Sequence, residues 1–278
     1  MRTLLFLLCF IPSVAFAQQP DALKKHVDYL ASPELRGRQA GSPECDKAAE
    51  YIVAQLKGFG YTPIEQPFPI NGKSSKNIIA ARVGSLDSVL VVCAHYDAVG
   101  PTRASYCPGA DDNGSGTAAV LELAKMIKTS RRTIVFILFS GEEDGLIGSQ
   151  YYVKHPKYPN EKTLFVCNLD MIGYLNTSKQ AYVPDVTKIL KDLYVQYPFA
   201  PNIVILGGKD SDQESFADIG IPVAFLHTGL HKNYHRASDT PDKLNYAGME
   251  QIVHFTYDLI KVLDMHDLPD YNITRTKK

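Results

Sequence analysis

Histidines and carboxylates stand where the apolar runs of this chain stop. His95-Tyr96-Asp97 follows VLVVCA, Glu142-Glu143 follows TIVFILFSG, Asp170 follows LFVCNL, and Tyr234, His235 and Asp239 lie in the loop after VAFL. A glycine-rich turn, GADDNG at residues 109–114, adds Asp111 and Asp112. Imidazole nitrogen and carboxylate oxygen are the donors that hold zinc in hydrolases. Two histidines and three carboxylates exceed the needs of one tetrahedral ion and suit two ions sharing a bridging carboxylate. The charge of two Zn²⁺ exceeds that of three carboxylates, so such a site attracts hydroxide and acidifies bound water. A further carboxylate must take the proton, and adjacent Glu142 and Glu143 offer one ligand and one base.

Each group taken singly has a bland explanation. An HxD pair is commonly a packing or surface feature, DDNGSG is a good turn and helix start, and a Glu-Glu pair is usually solvated. Asp170 is less ordinary, because a charge directly after an apolar strand needs a partner. The joint placement carries the reading: in an open α/β sheet, ligands bind beyond the carboxyl ends of the strands.

The elements that must position these groups alternate along the chain. Apolar, β-branched runs lie at residues 77–83, 89–94, 133–139, 164–169, 203–206 and 223–226. Helical patterns lie at residues 21–30, 116–128, 186–194, 213–218 and 249–263. A further helix is expected to open with Ser42 as N-cap and Pro43 in the first turn, and to end at Gly58 and Gly60. Runs apolar on both faces, alternating with helices, predict an α/β three-layer sandwich: a mixed, largely parallel sheet with helices on both faces. The short GSLDS link between residues 77–83 and 89–94 predicts an antiparallel hairpin at one side of the sheet.

Composition narrows the partners. Lys plus Arg is 29 against 30 Asp plus Glu, so no basic excess supports nucleic-acid binding. Residues 1–17 carry one Arg, the run LLFLLCF and a small-x-small end at Ala15-Phe16-Ala17, a secretory signal pattern too short to span a bilayer. The remaining residues, 18–278, read as one domain, secreted or periplasmic, with no membrane span. Cys45, Cys93, Cys107 and Cys167 form no CxxC, and buried free thiols are expected at Cys93 and Cys167.

With these residues in hand, the chain resembles the secreted co-catalytic zinc aminopeptidases of the bacterial leucyl type. The matching segments include YLASPELRGRQAGSPECDKAAEYI, AHYDAVG, PGADDNGSGTAAVLELA, FILFSGEEDGLIGSQYYV, NLDMIGY, SDQESFADIGIPVAFLHTGLH and YHRASDTPDKLNY. They extend over nearly the whole chain beyond the signal. The resemblance implies a zinc exopeptidase fold and two Zn²⁺ per chain. It implies His95 and Asp170 on the first ion, Glu143 and His235 on the second, Asp111 bridging both, and Glu142 as general base. It places Asp97 beside the first histidine and Asp239 beside His235, and Tyr234 as a phenol on the tetrahedral oxyanion. A cis peptide is expected after the bridging aspartate, at Asp111–Asp112. Gln213 and Arg236-Ala237 depart from the usual pattern and are expected to shape the substrate pocket.

The implied activity is removal of the N-terminal residue from peptides with a free amino terminus. Glutaminyl cyclase, dipeptidase and carboxypeptidase activities on the same fold are the alternatives, the first using a single zinc. A receptor-like domain lacking ligands does not suit a chain that keeps them all, and no GxSxG stands in the context a serine hydrolase needs.

Overall fold

A computed structural model describes residues 19–101, 103–175, 204–205 and 211–265. The signal pattern at residues 1–17 and the helix expected at residues 186–194 lie outside the described residues. In chain order, the helices are α1 (Gln19–Leu30), α2 (Pro43–Gly58), α3 (Gly116–Met126), α4 (Ile147–Lys154), α5 (Gln213–Ala217) and α6 (Tyr246–Met265). The strands are β1 (Ile64–Ile70), β2 (Lys73–Arg82), β3 (Leu86–His95), β4 (Arg132–Phe139), β5 (Thr163–Leu169), β6 (Val204–Ile205) and β7 (Val223–His227).

The strands form one sheet in the order β1-β2-β4-β3-β5-β7-β6. Its centre is parallel: β3 pairs with β4 and β5, and β5 pairs with β7. Pairing towards the sides is antiparallel. Alternation along each central strand builds two cores. Leu90, Val92 and Ala94 of β3 and Ile134, Phe136 and Leu138 of β4 face a large cluster shared with α1, α2, α3 and α6. Val89, Val91 and Cys93, with Val135, Ile137 and Phe139, face a smaller cluster with Tyr152 of α4 and Phe216 of α5. Both faces are therefore covered, as the sequence predicts for strands apolar on both sides.

One expectation needs revision, and two elements, β1 and α4, are additional to those expected. The predicted hairpin between residues 77–83 and 89–94 does not form, because β4 inserts between β2 and β3 and bonds to both. β2 instead makes its hairpin with β1, through a turn at Asn71 (φ 47°) and Gly72 (φ 74°), the two left-handed residues of a tight hairpin turn. β1 itself, IEQPFPI, reads poorly as a strand because of Pro67 and Pro69. It is tolerated at the edge of the sheet, where a missing N–H breaks no second ladder. α4 is likewise additional to the expected helices. It is short and starts from left-handed Leu146 without a side-chain cap.

Elsewhere local chemistry acts as predicted. Ser42 caps α2 by accepting from the Cys45 N–H at 3.1 Å. Cys45, Cys93, Cys107 and Cys167 are all buried and unpaired.

Candidate metal centre

Because β3, β4, β5 and β7 run parallel, their carboxyl ends share one rim. His95 ends β3, Glu142 and Glu143 follow β4, Asp170 follows β5, and the loop after β7 returns with Tyr234 and His235. Two compact groups result: His95, Asp112 and Asp170, and Asp112, Glu143 and His235. Within each group, the facing donor atoms lie within 4.8 Å of one another. His95 Nε2 is 3.5 Å from Asp112 Oδ1 and 3.5 Å from Asp170 Oδ1. His235 Nε2 is 2.9 Å from Asp112 Oδ2 and 3.1 Å from Glu143 Oε2. Asp112 thus offers one oxygen to each group.

Asp111, expected at this shared position, is not in either group. Its Oδ1 accepts from the Gly173 N–H at 2.7 Å, and its Oδ2 lies 2.9 Å from His231 Nε2. Asp112 has non-helical backbone angles (φ −104°, ψ 92°), so the neighbouring carboxylates leave the chain towards different partners. The cis peptide follows the shared aspartate, at Asp112–Asn113 rather than Asp111–Asp112. Asp239 also differs from expectation. Its carboxylate accepts from the Asp111 N–H (3.0 and 3.1 Å) and the Asp112 N–H (3.2 Å), so it positions the backbone of the turn and not His235.

The turn is fastened from several sides. Asn113 donates to the Leu169 carbonyl and accepts from the Gly116 and Met171 N–H groups, tying Asp112 to the segment that carries Asp170. Gly109 (φ 63°) admits no side chain, because a Cβ there would lie 2.4 Å from the Asp112 carbonyl oxygen. Arg38, fully buried, donates to the carbonyls of Leu30, Tyr96, Pro108 and Gly109. It bolts the start of the turn to the end of β3, and burial pulls its pKa below the ordinary guanidinium value.

His95 Nδ1 is 3.3 Å from the Asp97 backbone carbonyl and 3.6 Å from Asp97 Oδ1. Donation from Nδ1 turns Nε2 towards the cluster, the orientation usual for a ligating imidazole. His95 Nε2, Asp112 Oδ2, Glu143 Oε1 and Asp170 Oδ1 are buried atoms with no hydrogen bond among the described residues. Even the 2.9 Å approach of His235 to Asp112 is not aligned as one.

The electrostatics point the same way. Burial, reinforced by Asp170, Asp212 and Glu143, pushes Glu142 up to about 10. Burial, with Asp112 among the causes, pushes Glu143 up to about 7. Burial opposes the charge on His95, but Glu142 and Asp170 outweigh it and hold its pKa well above the ordinary value. Asp112 and Glu143 push His235 up to about 10. Asp112 is held low despite burial, by His235 and His95. Two imidazoles do not neutralise this many carboxylates. The donor set and its orphaned atoms fit cations of the zinc type.

Three residues given no role from the sequence contribute here. His231 stacks on Tyr174 at 3.8 Å and reaches Asp111. Asp212 is fully buried, neither carboxylate oxygen is hydrogen-bonded among the described residues, and burial raises its pKa to about 7. Arg38 is the third. Gln213, expected in the pocket, is instead buried and accepts from Asn168 Nδ2 at 2.7 Å. Tyr234 is partly exposed and stacks on His235 at 3.8 Å. A cavity of about 460 Å³ opens beside Asp112, Glu142, Asp170, Tyr234 and His235.

Residues 77–260 match the family described as Peptidase family M28. The chain belongs to that family. Among its relatives, it is 36% identical to Aminopeptidase YwaD of Bacillus subtilis over 79% of this chain and 51% of the relative. It is 28% identical to Leucine aminopeptidase 1 of Metarhizium robertsii over 92% of this chain and 73% of the relative. The chain thus spans about half to three quarters of the length of these two. The M28 fold is shared with BSAP, a zinc aminopeptidase from Bacillus subtilis (TM-score 0.79, 16% identity, 90% of this chain and 96% of that one). It is also shared with glutaminyl cyclase from Porphyromonas gingivalis (TM-score 0.75, 18% identity, 88% and 98%).

Proposed function

We propose that the chain is a two-zinc aminopeptidase, with His95, Asp112 and Asp170 holding one ion and Asp112, Glu143 and His235 the other. The observation that carries this reading is the pair of donor groups overlapping at Asp112, with Glu142 beside them and in neither. Relatives named as aminopeptidases support it.

Zinc bound there would supply Lewis-acid polarisation of the scissile carbonyl and an acidified water. Glu142 takes the proton of the attacking water and returns it to the departing amine. Without cations, burial and the neighbouring carboxylates raise its proton affinity; cations held beside it would lower that affinity into the range a general base needs. The Tyr234 phenol donates to the oxygen on which negative charge develops. A free amino terminus would be held at the second donor group and the carboxylates beside it, which would make cleavage exopeptidic. The signal pattern supports secretion to the periplasm or exterior, and among the described residues no helix is long and apolar enough to cross a membrane.

The test is zinc-reconstituted protein against aminoacyl-arylamides, their N-acetylated forms and an N-terminal glutaminyl peptide, with Glu142→Ala alongside. Release from free-amino substrates alone, lost in Glu142→Ala, is the expected result. Cyclisation of the glutaminyl peptide without arylamide release would replace this reading with glutaminyl cyclase.

A further inference from the structure

The cavity beside the metal centre has one wall of a different kind. Met171, Phe225 and Leu230 make it apolar, and His227 is set among them. His227 is the last residue of β7. Alternation sends Ala224 and Leu226 into the helix-covered core, and Phe225 and His227 the other way, their rings 5.4 Å apart.

The proton on this imidazole can be placed. The Gly229 N–H donates to His227 Nδ1 at 2.7 Å. A backbone N–H can only donate, so Nδ1 carries its lone pair and the ring proton is on Nε2. His227 is therefore held as a neutral donor. Its Nε2 meets no hydrogen-bond partner among the described residues. An apolar side chain seated against this wall strips water from Nε2–H and returns nothing. A side chain of the same shape ending in a neutral oxygen replaces the lost bond.

We propose that His227 determines side-chain specificity, selecting N-terminal residues with an apolar stem and a neutral oxygen acceptor, such as a phenol or carboxamide, over their apolar isosteres. This rests on the aminopeptidase reading and adds the substrate class to it.

The experiment compares tyrosyl with phenylalanyl and asparaginyl with leucyl arylamides on the zinc-loaded full chain. Calorimetric binding of tyrosinol and phenylalaninol runs alongside. The wild-type chain should favour the oxygen-bearing member of each pair by roughly tenfold, through KM more than kcat. His227→Phe should reduce the ratio to near unity, and His227→Gln, which keeps an N–H donor, should preserve part of it. Equal use of both members by the wild type, or ratios unchanged in His227→Phe, would overturn the proposal. If no arylamide is cleaved, the aminopeptidase reading fails, while the ratio of the two alcohol affinities still decides the role of His227.

Discussion

His231 Nε2 and Asp111 Oδ2 lie 2.9 Å apart, directly behind the aspartate that joins the two donor groups. The His231 ring is stacked on Tyr174, whose hydroxyl accepts from Asn233 Nδ2 at 2.8 Å. The contact locks the loop after β7, which carries His235, to the turn that carries Asp112. It gives the first of two adjacent aspartates a structural task and leaves the second for the centre.

That division is directly measurable. Asp112→Asn should lose both zinc ions by elemental analysis, with cleavage at background. Asp111→Asn should keep two ions per chain and lose about ten- to a hundredfold in activity or metal affinity, as for other groups that orient ligands. Loss of both ions from Asp111→Asn with retention in Asp112→Asn would reverse the assignment.

Tyr234 should act on the chemical step. Tyr234→Phe removes one hydroxyl and keeps the ring stacked on His235. The expected result is a fall in kcat of about a hundredfold with KM little changed. A rise in KM alone would make Tyr234 a binding residue.

The metal-stripped chain should be less stable as pH rises. Glu143 and Asp212 are pushed up to about 7 and Asp239 to about 6, burial being the main cause in each. An acid raised in the folded state holds its proton longer there than in the unfolded chain. Its contribution is full below the unfolded value near 4 and is lost as pH climbs towards 7. His95 and His235, also raised, act in the same direction: their contribution is present below about 6.5 and declines above it. The melting temperature without zinc should therefore fall between pH 5.5 and 8. Zinc should restore more stability at pH 8, because bound cations replace the missing protons. A melting temperature that rises over that interval would contradict the arrangement.

Arg38 should matter for folding more than for catalysis. Replacing it by Met leaves four buried carbonyls without their donor, at a cost of about 3–5 kcal/mol in denaturant unfolding. Arg38→Lys should recover only part, because an ammonium cannot span the carbonyls that a planar guanidinium reaches.

The sequence by itself determined the layered α/β class and the strands that end in donors. The reason is that burial on both faces demands continuous apolar runs, and a charge at the end of such a run is visible in one dimension. His95, Glu142, Glu143, Asp170 and His235 could be named in that way. Tertiary structure alone decided three further points. It chose Asp112 over Asp111, because identical neighbours are distinguished only by where the backbone aims them and by what Gly173, His231 and Asp239 take up. It placed β4 between β2 and β3, because a short link can join strands that are not paired when a third offers the better ladder. It set the proton on His227, because the N–H that fixes it belongs to a turn whose course follows from the packed loop and not from local residue types.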